Sequence, residues 1–274
     1  MSTSANPLAA AEPWDLVADG YAEFAPAVMR PFSARALELA GLSVDSQVID
    51  VAAGTGLLSL PAARRVAHVH AIDFSDPMIR RLVAGARAEG VTNIDARVGD
   101  GQALPFDADR FGAGFSMFGL MFFPDRAKGF AELFRVLSPG GVAVVSSWAP
   151  VVESPLMRMM FGAFAAADPT IQIPQPDVLN LENPDVFATE MREAGFAGVS
   201  IQRHTTSLTF DSGDEMWETM VRSSAPMVLM RRNVGEAVWA ERAALMRAYL
   251  ADNYRPNQPL STTAFLGIGH KPQP

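Results

Sequence analysis

Three carboxylates stand near glycines in the first half of the chain, and each belongs to or follows a run of β-type residues. Asp50 lies in VIDVAAGTG, Asp73 ends the run HAID, and Asp100 stands in VGDGQ. A carboxylate accepts hydrogen bonds from hydroxyl and amino groups, and a glycine turn lets a ligand approach the backbone. These residue types therefore favour a ligand that carries hydroxyl, amino or cationic groups.

The order of the predicted strands and helices decides where these acids lie. Apolar runs such as QVIDVAA alternate with helical stretches such as DPMIRRLVAGARAEG up to about residue 150. This alternation predicts an α/β fold with a doubly wound, mostly parallel, seven-stranded Rossmann-like sheet. Parallel strands end at one edge of such a sheet, and that edge binds ligands. We therefore expect the three acids to lie together there.

The pattern divides the chain of 274 residues into three parts. Residues 1–44 are predicted to form an N-terminal helical cap of two short helices, separated by prolines that break the helical pattern. Residues 45–150 are predicted to form the cofactor-binding core. The remaining residues, 151–274, complete the core and carry a helical lid at about 213–255, inserted before the last strand.

The composition excludes several classes of protein. The chain has no cysteine, which excludes a disulfide scaffold and a cysteine nucleophile and fits a reducing compartment, so we expect a cytoplasmic protein. Its net charge of −8 disfavours a general nucleic-acid binder. No signal peptide or membrane span is expected. The four histidines show no set of three or four converging ligands, so no metal site is expected.

The positions of the acids narrow the choice of ligand. At the end of the second strand, Asp73 can accept both hydroxyls of a ribose, and Asp100 can accept an exocyclic amine such as that of adenine. A cationic or amino group would offset the burial of Asp50 beside the glycine turn. A nucleoside with a positive charge and no pyrophosphate meets these demands, and S-adenosyl-L-methionine is such a ligand.

Five motifs occur in a fixed order between about residues 45 and 150: VIDVAAGTG, HAIDFS, VGDGQALPF, FSMFGLMFFPD and ELFRVLSPGGVAVVSSW. Through them the sequence resembles the class I S-adenosylmethionine-dependent methyltransferases, in particular the quinone-biosynthesis-type C-methyltransferases and related small-molecule methyltransferases. The resemblance implies a methyltransferase sheet, S-adenosyl-L-methionine as cofactor, and a small-molecule acceptor methylated on oxygen or carbon. The sequence departs from the family at Ala52, where glycine is usual.

The resemblance also implies which residues contact the cofactor. The glycine loop would hold the methionine part, the second strand the ribose, and the turn after the third strand the adenine amine. The end of the fourth strand would pass under the methionyl portion, and a tyrosine of the N-terminal helices would close over the cofactor. These residues are Tyr21, Asp50, Ala52, Gly54, Gly56, Asp73, Phe74, Met78, Gly99, Asp100, Gly101, Gln102, Ser116, Met117 and Phe118.

The acceptor pocket is expected to be apolar. No base is visible in the segment that follows the fourth strand, and transfer of a sulfonium methyl depends mainly on alignment and exclusion of water. A methionine- and tryptophan-rich lid suits an adaptable apolar pocket. The residues expected in the pocket are Met121, Phe122, Trp148 and Trp217.

Two other functions stay open at this point. The chain could bind the cofactor without catalysing methyl transfer, because the acids predict binding only. A nicotinamide-dependent oxidoreductase is also compatible with Gly54-Thr55-Gly56 followed by Asp73. Against that alternative, Ser59 stands where a third glycine or alanine is needed, and no tyrosine begins a Tyr-x-x-x-Lys pair. The sequence does not indicate an oligomeric state.

Overall fold

A seven-stranded sheet forms the centre of the protein in the computed structural model, which describes residues 6–274. The strands are β1 (Gln47–Val51), β2 (His68–Asp73), β3 (Ile94–Val98), β4 (Phe111–Met117), β5 (Leu137–Trp148), β6 (Ala197–Leu208) and β7 (Leu260–His270). Their order across the sheet is β3-β2-β1-β4-β5-β7-β6, and β7 runs antiparallel to both of its neighbours. The other pairs are parallel. This confirms the predicted fold.

Helices pack against the sheet and against one another. They are α1 (Glu12–Leu39), α2 (Ser59–Ala63), α3 (Asp76–Ala88), α4 (Arg126–Val136), α5 (Pro155–Ala167), α6 (Pro184–Glu193), α7 (Gly213–Ser223), α8 (Ala225–Val234) and α9 (Glu236–Asn253). The last three follow β6 and precede β7, which confirms the predicted helical lid before the last strand. We call α7–α9 the lid helices.

The apolar cores follow from the alternation of side chains along each strand. Val48 and Ile49 are adjacent in β1 and point to opposite faces. Val48 packs in a buried cluster with Phe32 of α1, whereas Ile49 packs with Leu133 of α4 and Phe187 of α6. A third buried cluster joins the lid helices to α5. The sheet is therefore covered on both faces, and the lid has an apolar core of its own.

The prediction of two short N-terminal helices is wrong, since α1 is one helix of 28 residues that contains Pro26 and Pro31. A proline inside a helix removes a backbone hydrogen bond and costs about 3 kcal/mol. Buried apolar residues lie on both sides of the prolines: Val17 packs towards α3 and α8, and Phe32 packs against the sheet. Tertiary packing of both halves thus holds the helix together where local preference would end it.

The division into residues 1–44, 45–150 and 151–274 stays a prediction. Residues 1–5 of the predicted N-terminal cap lie outside the described residues. In the part of the chain that the structure describes, no helix has both the length and the hydropathy needed to cross a membrane.

Packing of α1 on the sheet should depend strongly on Phe32, whose side chain has no exposed area. We expect Phe32→Ala to lower the free energy of unfolding by about 3–5 kcal/mol, because it leaves a cavity beneath the helix. Leu16→Ala is the matched control on the same helix, since Leu16 is 54% exposed, and should change stability by less than about 0.5 kcal/mol. Urea denaturation measures both, and equal effects would contradict the role given to Phe32.

Candidate active site

The carboxyl ends of β1, β2 and β4 meet where the strand order reverses, and the predicted glycine turn lies at this point. In open α/β sheets this crevice is the usual place for a ligand. Asp50 is the fourth residue of β1, and Asp73 is the last residue of β2. The two carboxylates are close enough for the charge of Asp73 to raise the pKa of Asp50. The structure therefore brings these two predicted site residues together.

The glycine turn has a left-handed backbone at three positions. Ala52, Gly54 and Gly56 have φ angles of 59°, 55° and 89°, a region that costs an ordinary residue roughly 1–2 kcal/mol. A Cβ atom added to Gly119 would lie 2.2 Å from the Cβ atom of Ala52. The methyl group of Ala52, which replaces the usual glycine, is thus accommodated by a glycine after β4.

Asp73 is held by backbone donors from two segments. Its Oδ2 atom accepts a hydrogen bond from the Gly54 N–H at 2.8 Å, and its Oδ1 atom accepts one from the Ser75 N–H at 2.9 Å. Burial nevertheless raises the pKa of Asp73 to about 6, because desolvation outweighs these hydrogen bonds and Asp15 adds a further negative charge. The turn and the acid are therefore fixed to each other before any ligand binds.

Asp50 has a partner that the sequence interpretation missed. The Ser59 hydroxyl donates a 2.6 Å hydrogen bond to Oδ2 of Asp50, and both residues are buried. Burial raises the pKa of Asp50 to about 7, and the Ser59 hydrogen bond lowers it only in part. In the sequence, Ser59 only interrupts a glycine pattern, although a hydroxyl one helical turn after the glycines can reach back to the strand.

Helix α1 closes over this edge of the sheet. The Ser75 hydroxyl donates a 2.5 Å hydrogen bond to Oδ1 of Asp15 in α1. Burial, followed by the charge of Asp73, raises the pKa of the Tyr21 phenol to about 12, so this phenol lies within electrostatic reach of Asp73, the predicted ribose-binding residue. Met78 of α3 packs in a buried cluster with Val17 of α1. Neither Asp15 nor Val17 carried a motif that could have identified it from the sequence.

The turn after β3 contains the remaining predicted adenine-side residues. Asp100 is exposed, and its Oδ1 atom accepts a 2.8 Å hydrogen bond from the Gln102 N–H. The Gly99 N–H donates to the carbonyl of Asp73 at 2.9 Å, which connects this turn to the end of β2. Gly101 leaves no room for a side chain, since an added Cβ would lie 2.5 Å from Phe123. Phe74, at the end of β2, is 40% exposed.

The end of β4 is strained and is held by two serines. Phe118 follows Met117 with a φ angle of 59°. Its N–H donates to the Ser146 hydroxyl at 3.0 Å, and the Leu120 N–H donates to the Ser116 hydroxyl at 3.2 Å. Backbone strain of this kind persists only where the surroundings impose it, and it is common at functional sites.

Aromatic rings join this turn to the neighbouring elements. Phe118 stacks on Trp148 of β5 with ring centroids 4.1 Å apart, and Phe32 lies edge-on to both. The ring centroid of Phe122 lies 5.5 Å from that of Trp14 in α1. Together with Met121, whose sulfur lies 3.8 Å from the Ser147 hydroxyl, these residues form an apolar group beside the turn.

Trp217 does not belong to this group. It is buried in the cluster of the lid helices, where its ring stacks with that of Trp239 at 6.3 Å. Of the four residues expected in the acceptor pocket, Met121, Phe122 and Trp148 gather at the carboxyl ends of β4 and β5, and Trp217 lies in a different apolar cluster.

A cleft of about 750 Å³ lies between α1, α3 and the lid helices. It is lined by residues such as Asp19, Arg81, Arg222 and Trp239, and it contains none of the predicted site residues. Within residues 6–274, no group of three or more His, Asp or Glu side chains is arranged to hold a metal ion. The candidate site is therefore the closed edge under α1, and the open cleft is separate from it.

The sequence is similar to a family of methyltransferase domains and to two other known proteins. A family profile described as a methyltransferase domain matches residues 48–141. The uncharacterized protein Rv1405c of Mycobacterium tuberculosis is 30% identical over 251 residues, which cover 89% of this chain and 90% of that protein. The demethylmenaquinone methyltransferase of Clavibacter sepedonicus is 32% identical over 175 residues, which cover 59% of this chain and 70% of that protein.

Solved structures show the same fold. The crystal structure of the [4+2]-cyclase SpnF superimposes with a TM-score of 0.62 and 20% identity, over 96% of this chain and 96% of that chain. This likeness concerns the architecture alone.

The raised pKa values of Asp50 and Asp73 make stability depend on pH. An acid whose pKa is about 7 or 6 when folded, against 3.8 ordinarily, binds more protons in the folded protein than in the unfolded chain. The free energy of unfolding should therefore fall as the pH rises from about 4 to about 7. Asp50→Asn keeps an acceptor for Ser59 without the charge, and should reduce this fall by more than about 1 kcal/mol.

Urea denaturation at several pH values between 4 and 8 measures the effect. The control is Asp45→Asn, which changes an exposed carboxylate in the turn before β1 and should leave the pH dependence unaltered. Parallel curves for Asp50→Asn and the wild-type protein would contradict the raised pKa of Asp50.

Proposed function

The chain belongs to the class I S-adenosylmethionine-dependent methyltransferases, and we propose that it transfers a methyl group to a small, largely apolar acceptor, with oxygen or carbon as the favoured acceptor atom. The observation that carries the proposal is the arrangement of Asp50, Asp73 and the left-handed glycine turn at the point where the strand order reverses. S-adenosyl-L-methionine, when bound, supplies a methyl group activated by the sulfonium charge.

The residues present fit this cofactor. Asp73 has two oxygens at the end of β2 for the ribose hydroxyls, and a carboxylate oxygen can accept a second hydrogen bond beside those from Gly54 and Ser75. An added Cβ at Gly54 would meet no atom within 4 Å, so there is space beside the turn. Asp100 is exposed and can accept a hydrogen bond from the adenine amine. These contacts support the predicted cofactor-binding residues.

The electrostatics favour a cationic ligand. Asp50 and Asp73 are buried, and no positively charged group within residues 6–274 is among the causes that shift the pKa of either acid. Burial of carboxylates without a positive partner is unfavourable, which is why their pKa values are raised. A ligand with an ammonium and a sulfonium group would supply the missing positive charge. A dinucleotide would bring two further negative charges instead, so the oxidoreductase alternative loses support.

The side chains expected to contact the acceptor are apolar. This supports alignment of the reactants and exclusion of water as the main contributions to the rate of methyl transfer. Phe118, Trp148, Met121 and Phe122 form an apolar group at the turn after β4. An acceptor site beside this group would exclude water and orient a weakly polar acceptor. Tyr21 does not suit the role of base, since its pKa of about 12 keeps the phenol protonated. The acceptor would therefore arrive already ionised or intrinsically nucleophilic.

Binding without methyl transfer is the second candidate function. The same fold is found in a protein whose name describes it as a cyclase, so architecture does not prove methyl transfer. The test is calorimetric titration with S-adenosylmethionine, S-adenosylhomocysteine and NAD, followed by turnover assays with phenols, carboxylic acids and quinone precursors. Binding of both sulfur ligands together with release of S-adenosylhomocysteine supports the proposal. Failure of the wild-type protein to bind either would refute it.

The ribose role of Asp73 predicts a loss of affinity on substitution. We expect Asp73→Ala to weaken S-adenosylhomocysteine binding by about 10- to 150-fold, which corresponds to about 1.5–3 kcal/mol for hydrogen bonds to a charged group. The matched control is Asp76→Ala, three residues later, whose exposed carboxylate pairs with Arg80. Calorimetry measures both, and unchanged affinity in a folded Asp73→Ala protein would exclude the ribose assignment.

If Trp148 lies in the acceptor pocket, its substitution should alter catalysis with the acceptor more than the affinity for the cofactor. We expect Trp148→Leu to change kcat/KM for the acceptor by at least about tenfold, because the ring is lost from the pocket wall. Cofactor affinity should stay within about twofold. Trp217→Phe serves as the comparison within the lid core. A change of acceptor preference in Trp217→Phe, with none in Trp148→Leu, would move the pocket to the lid.

A further inference from the structure

The open cleft between α1, α3 and the lid helices has the size of a small-molecule site. Its volume of about 750 Å³ lies within the range of about 300–1,000 Å³ that is usual for ligand pockets. We call it the outer cleft. Its apolar lining consists of Val221, Met227, Val228 and Trp239. Met227 and Trp239 are buried in the apolar core of the lid, so this wall is a firm surface on which an apolar group can pack.

Helix α1 turns one face to the outer cleft and another to the candidate active site. Leu16, Gly20 and Glu23 line the cleft, and their spacing of four and three residues places them on one side of the helix. Val17 and Tyr21 lie on the other side, in the cluster with α3. A ligand in the outer cleft would therefore contact α1 without occupying the predicted cofactor site.

Five charged residues line the outer cleft, and three of them are already neutralised by a partner. Arg81 of α3 pairs with Asp19 of α1 at 2.5 Å. Arg231 of α8 donates two hydrogen bonds of 2.9 Å each to the carboxylate of Glu236. The charges of Asp19, Arg81 and Arg231 are thus balanced within the protein.

The other two charged residues, Glu23 and Arg222, lie on opposite walls where α1 crosses α7. A Cβ atom added to Gly20 would lie 2.0 Å from the backbone oxygen of Arg222, so the two helices touch there. The Arg222 guanidinium lies 3.5 Å from the carboxylate of Glu218 on its own helix, longer than the roughly 2.7–2.9 Å of a charge-assisted hydrogen bond. Glu23, one helical turn after Gly20, is exposed. An acid and a base therefore flank the cleft without being joined tightly to each other or to Glu218.

These features select one class of ligand. A simple anion would meet Glu23, and a simple cation would meet Arg222, whereas a molecule that carries both charges matches both walls. We propose that the outer cleft binds an α-amino acid with a large apolar side chain. Its carboxylate would pair with Arg222, its ammonium with Glu23, and its side chain would pack on Met227 and Trp239. This inference goes beyond the proposed function and does not depend on it.

Ligand-observed NMR titration of the wild-type protein tests the class of ligand. The probes are L-phenylalanine, 3-phenylpropanoate, which lacks the ammonium, and 2-phenylethylamine, which lacks the carboxylate. We expect L-phenylalanine to bind with a Kd of about 1 mM or less, the scale for a ligand of this size. The other two probes should bind at least about threefold more weakly, since each loses one ion pair. Absence of L-phenylalanine binding at millimolar concentration, or equal affinity for all three probes, would overturn the inference.

Variants of the two charged residues test the contacts. Arg222→Gln and Glu23→Gln should each weaken L-phenylalanine binding by at least about threefold, because each removes one ion pair with the ligand. The matched controls are Arg232→Gln and Glu38→Gln, which change exposed residues of α8 and α1 that do not line the cleft. Both controls should bind L-phenylalanine as the wild type does. An equal loss in variants and controls would show that surface charge alone is responsible and would contradict the proposed contacts.

A further variant establishes where the amino acid binds. The carboxylate of Asp50 is predicted to face the ammonium of the cofactor, so L-phenylalanine could enter that site instead of the outer cleft. Asp50→Asn should leave the affinity for L-phenylalanine unchanged, whereas Arg222→Gln lowers it. The reverse result would place the amino acid at the strand ends and overturn the inference. Because these titrations contain no cofactor, their outcome is independent of whether S-adenosylhomocysteine binds, which is the test of the proposed function.

Discussion

Burial of two carboxylates at the ends of adjacent strands is the constraint on which the rest of the site depends. Burial raises the pKa values of both Asp50 and Asp73, and the charge of Asp73 adds to the effect on Asp50. The protein retains them through hydrogen bonds from Ser59 and from the Gly54 and Ser75 amides. Each of these donors belongs to the turn or helix that follows β1 or β2, so the acids organise the segments around them.

The strained turns after β1 and β4 complement each other. Ala52 and Phe118 both have left-handed backbone conformations, and the methyl group of Ala52 occupies the space left by Gly119. Local strain at both strand ends is offset by contacts between them. Both segments are predicted to contact the methionyl portion of the cofactor, so this packing arrangement would set the shape of that part of the site.

Helix α1 connects the site to the rest of the molecule. Its first half lies over the acids through Asp15 and Tyr21, and its second half packs on the sheet through Phe32. It also contacts the lid helices, and the backbone of Arg222 in α7 lies close to Gly20 of α1. Closure of the site and packing of the lid are therefore coupled through a single helix, although the lid has its own apolar core.

The local pattern of the chain was sufficient to predict the sheet, the lid and the position of the acids. Strands and helices have different periods of apolar residues, and parallel strands place their carboxyl ends at one edge. For this reason the sequence alone predicts that Asp50 and Asp73 lie at one site. The roles of the individual cofactor-binding residues stay predictions that binding experiments can test.

Other features depended on contacts between distant parts of the chain, which only the tertiary structure decides. The continuity of α1 through Pro26 and Pro31 comes from packing at both of its ends, and the separation of Trp217 from Trp148 comes from the lid forming its own cluster. The outer cleft, with Glu23 and Arg222 on opposite walls, exists only because α1 and the lid helices pack together. A sequence pattern records which residues are apolar or polar, whereas burial and hydrogen-bond partners arise from segments brought together by folding.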